Sequence, residues 1–284
     1  MSSLMVNVAL VGLVLAGLTY FVAGLTRKKM VETIALLILI FAGPGASFLA
    51  IFFRGLEAGH APMTNLYETL LIFAWGLSVA GVISHAAFKN PAVGGLCAAA
   101  AVLVLGGAAL GAGAELRPLM PALKSNWVTV HVAAYMIGYG ACGAAAIADV
   151  VCLIVSLRAL PHSKDEKRME KVASYDRLAH WLVSLAYPLL TVGLITGAIW
   201  AKQAWGDYWS WDPKETWSLI TWLAYGIYFH STITFRGLRV SSKISPRSAI
   251  IRSVLRLVSF AILLFTFLGL NYLPSAKESL HLYQ

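Results

Sequence analysis

The sequence predicts an all-α protein: a polytopic membrane helix bundle of about eight transmembrane helices with both termini on the outer face. Three observations lead there. Of 284 residues, 59% are hydrophobic and 12% are charged, against about 25% charge in a soluble domain, so the polar set is too small to cover a water-soluble globule of this size. Eight apolar windows follow one another along the chain, each close to the roughly 20 residues that a helix needs to cross the hydrocarbon layer. The basic residues are also unevenly divided between alternate connections, 16 on one parity and six on the other. The positive-inside rule assigns the richer parity to the cytoplasm. Eight spans of about 20 residues take roughly 160, and the remainder is used up in connections, so residues 1–284 read as a single integral membrane domain. The net charge of +9, from 22 basic and 13 acidic residues, sits in short connections rather than on an aromatic-interleaved face. It therefore signals membrane orientation and no nucleic-acid partner.

The windows fall near residues 4–25, 31–53, 67–87, 92–112, 127–157, 181–201, 218–236 and 253–270. The first is followed, not preceded, by Arg27, Lys28 and Lys29, the reverse of a cleaved signal, so it reads as a retained span. Several windows are rich in Gly and Ala, as close helix packing in lipid favours. Cys97, Cys142 and Cys152 lie in apolar runs without a Cys-x-x-Cys pair or a Cys-His spacing, which reads as small core residues. Asp149 is a carboxylate inside the fifth window, a hint of an ion or proton path. The stretch 158–180 interleaves four acidic with six basic residues and reads as a solvated cytoplasmic connection. Three outer segments, 54–65, 202–217 and 271–284, are short, aromatic and supplied with histidine, and function is sought there.

The densest of these is WGDYWSWDPKETW, which brings Trp205, Tyr208, Trp209, Trp211 and Trp217 into 13 residues and holds four of the nine tryptophans. An interfacial belt scatters Trp and Tyr around helix ends, which accounts for two or three of them but not for the density. Gly206, Asp207, the Asp212-Pro213 turn signal and Lys214-Glu215 point to a shaped surface. Flat aromatic faces with polar edges suit a planar conjugated ligand. Indoles stack on such a ligand and offer N–H donors, a cationic group pairs with its acids, and the ligand that fits is heme.

The residues also resemble a known family. WGDYWSWDPKETWSLITWLAYGIYFH is similar to the tryptophan-rich WWD signature of heme-handling proteins, and more closely to the CcsA/ResC family of cytochrome c biogenesis, whose pattern runs W-G-x-Y-W-x-W-D-P-K-E-T-W ahead of a histidine-bearing span. GHAPMTNLYETLLIFAW at 59–75 resembles the family's G-H-x-P-x-x-N-L-Y-E-S stretch, and SNWVTVHVAAYMIGYG at 125–140 resembles its S-x-W-x-x-x-H span. The likeness covers most of the chain from about residue 50 onward.

The resemblance implies the catalytic part of a holocytochrome c synthase, or heme lyase. Such a protein moves heme b to the outer face of the membrane and supports its thioether attachment to the CxxCH motif of apocytochrome c, acting with a ResB/CcsB-like membrane subunit. It implies external axial ligands at His131 and His281, a heme platform of Trp205, Tyr208, Trp209, Trp211, Asp212 and Trp217, and a further ligand within the membrane at His230. The tail departs from the family: it reads LPSAKESLHLYQ where the family tends to L-P-G-L-H-S-Y. His60 reads as shaping the outer cavity, and His85, His162 and His180 as interface or solvated residues. The setting is taken as a bacterial inner membrane. Two other readings stand beside this one. A heme exporter or carrier shares the platform but forms no thioether, and a secondary ion or solute transporter relies on Asp149 and Glu68 and binds no heme.

Overall fold

The computed structural model describes residues 1–111, 115–116, 119–162, 165–234 and 244–272, and every regular element among them is helical. The chain forms two compact units, Met1–Ala144 and Ala145–Gln284.

In the first unit, α1 (Ser2–Thr26) buries a stripe of Val6, Ala9, Leu13, Ala16, Tyr20 and Ala23 while Leu4, Val8, Val11, Leu15, Leu18 and Val22 stay exposed. A helix that is apolar on its exposed face as well as its packed one belongs in lipid. It stops at Arg27, whose left-handed backbone (φ 54°) turns the chain into α2 (Lys29–Ile40). A π-helical turn, Phe41–Ala46, joins α2 to α3 (Ser47–Ala58), so the second span runs unbroken over Lys29–Ala58. The turn contains Pro44, which has no N–H and whose ring crowds the preceding turn. Its own carbonyl accepts a hydrogen bond from Trp75 Nε1 at 3.2 Å. Trp75 lies on α4 (Leu66–Ala86), which packs with α5 (Pro91–Gly111), and α6 (Asn126–Ala159) begins in this unit. Helices α4 and α6 meet at Gly76 and Gly140, where a Cβ added to Gly140 would lie 2.6 Å from the Gly76 carbonyl carbon. Only glycine permits that approach.

The second unit contains the end of α6, then α7 (Glu166–Trp205), α8 (Pro213–Thr234) and α9 (Pro246–Phe267). Here one expectation is corrected. From Glu166 onward the stretch 158–180 is helix and not a connection, because α7 begins there and continues for 40 residues, about 60 Å at 1.5 Å per residue, while its charges from Asp165 to Arg168 and at Glu170, Lys171 and Arg177 are exposed as expected. Asp165 caps it by accepting from the N–H groups of Lys167 and Arg168. The exposed charges line one side of the start of α7, whose other side buries Val172, Ala173, Tyr175, Leu178 and Ala179 together with Asp176. Ser245 caps α9 through the N–H of Ser248, with Pro246 in the first turn.

Among the described residues, seven helices are long and apolar enough to cross a membrane, and they coincide with seven of the eight predicted windows. The remaining window, 218–236, corresponds to α8, whose Thr, Ser, Tyr and His content dilutes its hydropathy. The protein is an integral membrane protein. Its three cysteines are buried and form no disulfide, as core residues.

Candidate functional site

The tryptophan segment connects α7 to α8 and is built by two helix ends. Helix α7 closes at Gly206, whose φ of 95° is a backbone that L side chains rarely adopt. Lys202 Nζ donates to the Gly206 carbonyl and sits 5.5 Å from the Tyr208 ring centroid. At the other end Asp212 Oδ1 accepts from Lys214 N at 2.8 Å, while Glu215 Oε2 reaches back to Asp212 N at 3.2 Å and to Ser210 N at 2.8 Å. This is a capping box with proline in the first helical position. Asp-Pro-Lys-Glu is therefore architecture, and both carboxylates are buried. Burial lowers the Lys214 amine from its ordinary value against the pull of Asp212; this residue precedes the apolar stretch that starts at Ser218.

On that frame the indoles pair edge to face: Trp205 with Trp200 at 4.8 Å, Trp209 with Trp211 at 5.8 Å, and Trp217 with Phe265 of α9 at 4.5 Å between ring centroids. Two rings are presented outward, Tyr208 at 58% and Trp211 at 69% exposure. Trp211 also has φ 60°, a left-handed backbone that costs a non-glycine residue about 1–2 kcal/mol. Beyond its edge contact with Trp209, the exposed indole is suited to stacking against a ligand from outside the chain.

His230 lies 13 residues beyond Trp217, roughly 20 Å along the helix axis, so it belongs to a different level of the second unit. Its side chain is exposed, with Nε2 3.2 Å from the Thr234 hydroxyl one turn on. It shares the outward face of α8 with Leu223, Ile227 and Ile233.

Below the same helix lies a buried polar network that the sequence reading did not foresee. Arg256 donates through Nε and Nη2 to both oxygens of Asp149, through Nη2 to Asp176 at 3.1 Å, and through Nη1 to the Tyr228 hydroxyl at 2.6 Å. Arg252 grips Asp176 with two further bonds, at 3.0 and 2.6 Å, and His180 Nδ1 lies 2.6 Å from the Tyr228 oxygen. The ion-path reading of Asp149 is thereby corrected, because its carboxylate is committed to Arg256. Arg252 and Arg256, two of the sixteen basic residues assigned above to cytoplasmic connections, are instead buried on α9. A usable signal was present, since two arginines spaced four apart on an apolar helix require buried acids, and Asp149 and Asp176 were available.

In the first unit, His131 sits on the second turn of α6, half-buried, its ring edge-on to Tyr135 at 4.9 Å. The 59–68 stretch is tied down by Glu68, which accepts from Arg54 Nε at 3.0 Å and from Thr64 N and Oγ1 at 2.9 Å, while Asn65 caps α4 through Glu68 N. His60 accepts no such task; its Nδ1 contacts the Ala61 carbonyl at 2.9 Å. His85 is buried, not solvated, between Tyr20 Oη at 2.7 Å and Glu32 at 3.1 Å. His180 is likewise engaged rather than solvated. His281 lies outside the described residues. Of the six residues predicted as a platform, Tyr208 and Trp211 are exposed, Asp212 is buried in the cap and Trp217 packs on Phe265, while His230 lies on the same unit at another level.

Fold and site together define a helical integral membrane protein that presents a capped aromatic segment at one helix junction. Comparison with known proteins gives the class a name. The profile described as "Cytochrome C assembly protein" matches residues 63–276. The cytochrome c biogenesis protein CcsA of Porphyra purpurea is 33% identical, covering 96% of this chain and 95% of its own length. That of Synechococcus elongatus is 33% identical over 80% of this chain and 81% of its own. Among solved structures, the cytochrome c heme lyase CcmF matches with a TM-score of 0.59 at 17% identity, over 98% of this chain; the chain spans about half the length of that protein. The chain belongs to the cytochrome c assembly protein family, as a CcsA-type member, and its function is in cytochrome c biogenesis.

Proposed function

We propose that this chain, as a single membrane domain, is the heme-handling and catalytic part of a holocytochrome c synthase. It receives heme b as substrate, presents it on the outer face at the tryptophan segment, and supports its attachment to the CxxCH motif of apocytochrome c. The observation that carries this reading is the exposed, left-handed Trp211 beside exposed Tyr208 on a segment locked by the Asp212–Glu215 capping box. Trp205, Tyr208, Trp209, Trp211, Asp212 and Trp217 form the platform, with Asp212 acting through the cap. His131 and His281 supply axial imidazoles on the outer side, and His230 supplies one within the membrane, its partner ligand coming from a ResB/CcsB-like subunit. The exposure of His230 on the single chain suits a ligand shared with another subunit.

Attachment requires no nucleophile from this chain. Each thiol of the apocytochrome adds across one heme vinyl group, so that the carbon–carbon π bond is replaced by one C–S and one C–H bond and the thiol proton is retained. The chain's contribution is placement, because holding both reactants in one geometry makes a bimolecular step effectively unimolecular. The setting proposed is a bacterial inner membrane with the platform outside. The buried ion pairs of Asp149 and Glu68 weigh against a transporter built on those two acids.

The test is an absorption spectrum and pyridine hemochrome assay on the detergent-purified chain with its partner subunit, wild type beside His131→Ala and His281→Ala, with and without imidazole. A bis-histidine spectrum lost in each variant and restored by imidazole supports the assignment. Bound heme with no thioether formed on a CxxCH peptide would leave a carrier, and no heme in the wild type would overturn the reading.

A further inference from the structure

The Tyr228 hydroxyl is held from two sides, by Arg256 Nη1 and by His180 Nδ1, each at 2.6 Å. A guanidinium only donates. Arg256 therefore occupies a lone pair of the phenol oxygen, and His180 Nδ1 makes the second hydrogen bond to it. Arg256 cannot swing away, because its other nitrogens are bound to Asp149 and Asp176, and Asp176 is held in turn by Arg252. The hydroxyl is thus a clamp on α8 anchored in α6, α7 and α9.

A clamp at residue 228 has a consequence for residue 230. Thr221, Tyr225, Tyr228 and Thr232 form the buried stripe of α8, while Leu223, Ile227, His230 and Ile233 lie exposed. Two residues on a helix are separated by roughly 200° about its axis, so pinning the Tyr228 hydroxyl inward fixes the direction in which His230 points outward. At a side-chain radius of about 5–6 Å, a helix rotation of about 10° moves an outer atom by about 1 Å. Misplacement on that scale is large for a liganding group. We propose that Tyr228 is a positioning residue for His230, its clamped hydroxyl setting the rotation of α8 so that the imidazole is aimed away from the bundle for an iron shared with a neighbouring subunit. This rests on the assignment of His230 as a ligand made above.

The experiment uses the full chain co-expressed with its partner subunit. In a His131→Ala background without imidazole, the heme that remains reports the His230 level, and in the His131 parent the outer heme is followed as a control. Tyr228→Phe keeps the ring and removes only the hydroxyl. The expected result is a fall of about 10-fold in heme at the His230 level, comparable to the loss of a residue that orients a metal ligand, with protein yield and outer heme unchanged. Combined with His230→Ala, it adds no further loss, as coupled residues require. His180→Leu removes the second anchor, leaves the ion pairs of Arg256 intact, and shows the same selective loss. Equal loss of yield and of both hemes in the two variants overturns the proposal in favour of a purely structural role. Wild-type heme in both variants, with His230→Ala still deficient, overturns the proposal and leaves His230 a ligand. Undiminished heme in His230→Ala overturns the ligand assignment itself.

Discussion

Replacing Arg256 with methionine tests how the second unit is held together. The guanidinium is 1% exposed, and the site is balanced, two arginines against two aspartates. Methionine fills similar volume but removes every bond to Asp149, one to Asp176 and one to Tyr228. It leaves a fully buried carboxylate with one negative charge in excess. Removing one partner of a buried pair costs about 3–5 kcal/mol, which for a chain of this size corresponds to a fall in Tm of about 6–20 °C. The assay is thermal unfolding of the detergent-solubilised full chain, followed by loss of the monodisperse peak on size exclusion. Asp149→Leu is expected to cost a similar amount. The double variant, which removes both charges and leaves Asp176 with Arg252, recovers most of the loss because an apolar pair of similar volume replaces the ion pair at little net cost. A single variant within about 1 kcal/mol of wild type, or a double variant as damaged as the sum of the singles, would refute the view that Arg256 is the keystone of this network.

Three further outcomes follow from the geometry. Glu215→Ala removes the side chain that reaches back to Asp212 and Ser210, and is expected to cost about 1–2 kcal/mol of stability while lowering heme occupancy by a larger factor, read by thermal unfolding beside a hemochrome assay. Trp211→Gly relieves the left-handed backbone, so stability is unchanged or raised by up to about 1 kcal/mol, yet bound heme falls; retention of full heme would remove Trp211 from the platform. Tyr20→Phe deletes the 2.7 Å bond to buried His85 and is expected to destabilise by about 1 kcal/mol without changing bound heme.

How far the sequence carried the reading can be judged from particular residues. The spans were legible because hydropathy reports burial in lipid directly, and the platform was legible because its aromatic residues are consecutive. Asp212-Pro213 was recognised as a turn signal, but the role of Glu215 in closing the cap was not, although Asp-x-x-Glu ahead of a helix is a local pattern. The helix within 158–180 was missed because its charges, which are exposed apart from Asp176, were weighed without its periodicity, which places Val172, Tyr175, Asp176 and Ala179 on one side.

Taken alone, the sequence determined that the chain crosses the membrane repeatedly, where those crossings lie, and which aromatic segment stands out, since each of these depends on residues adjacent in the chain. Only the tertiary structure decided that Asp149 and Asp176 are neutralised by Arg256 and Arg252, that His180 and Arg256 converge on Tyr228, and that His230 faces outward while Trp211 strains its backbone. The physical reason is that a charge buried at depth must find its counter-charge across 76 to 107 residues of chain, and pairing at that separation is settled by the packing of helices, not by the pattern along any one of them.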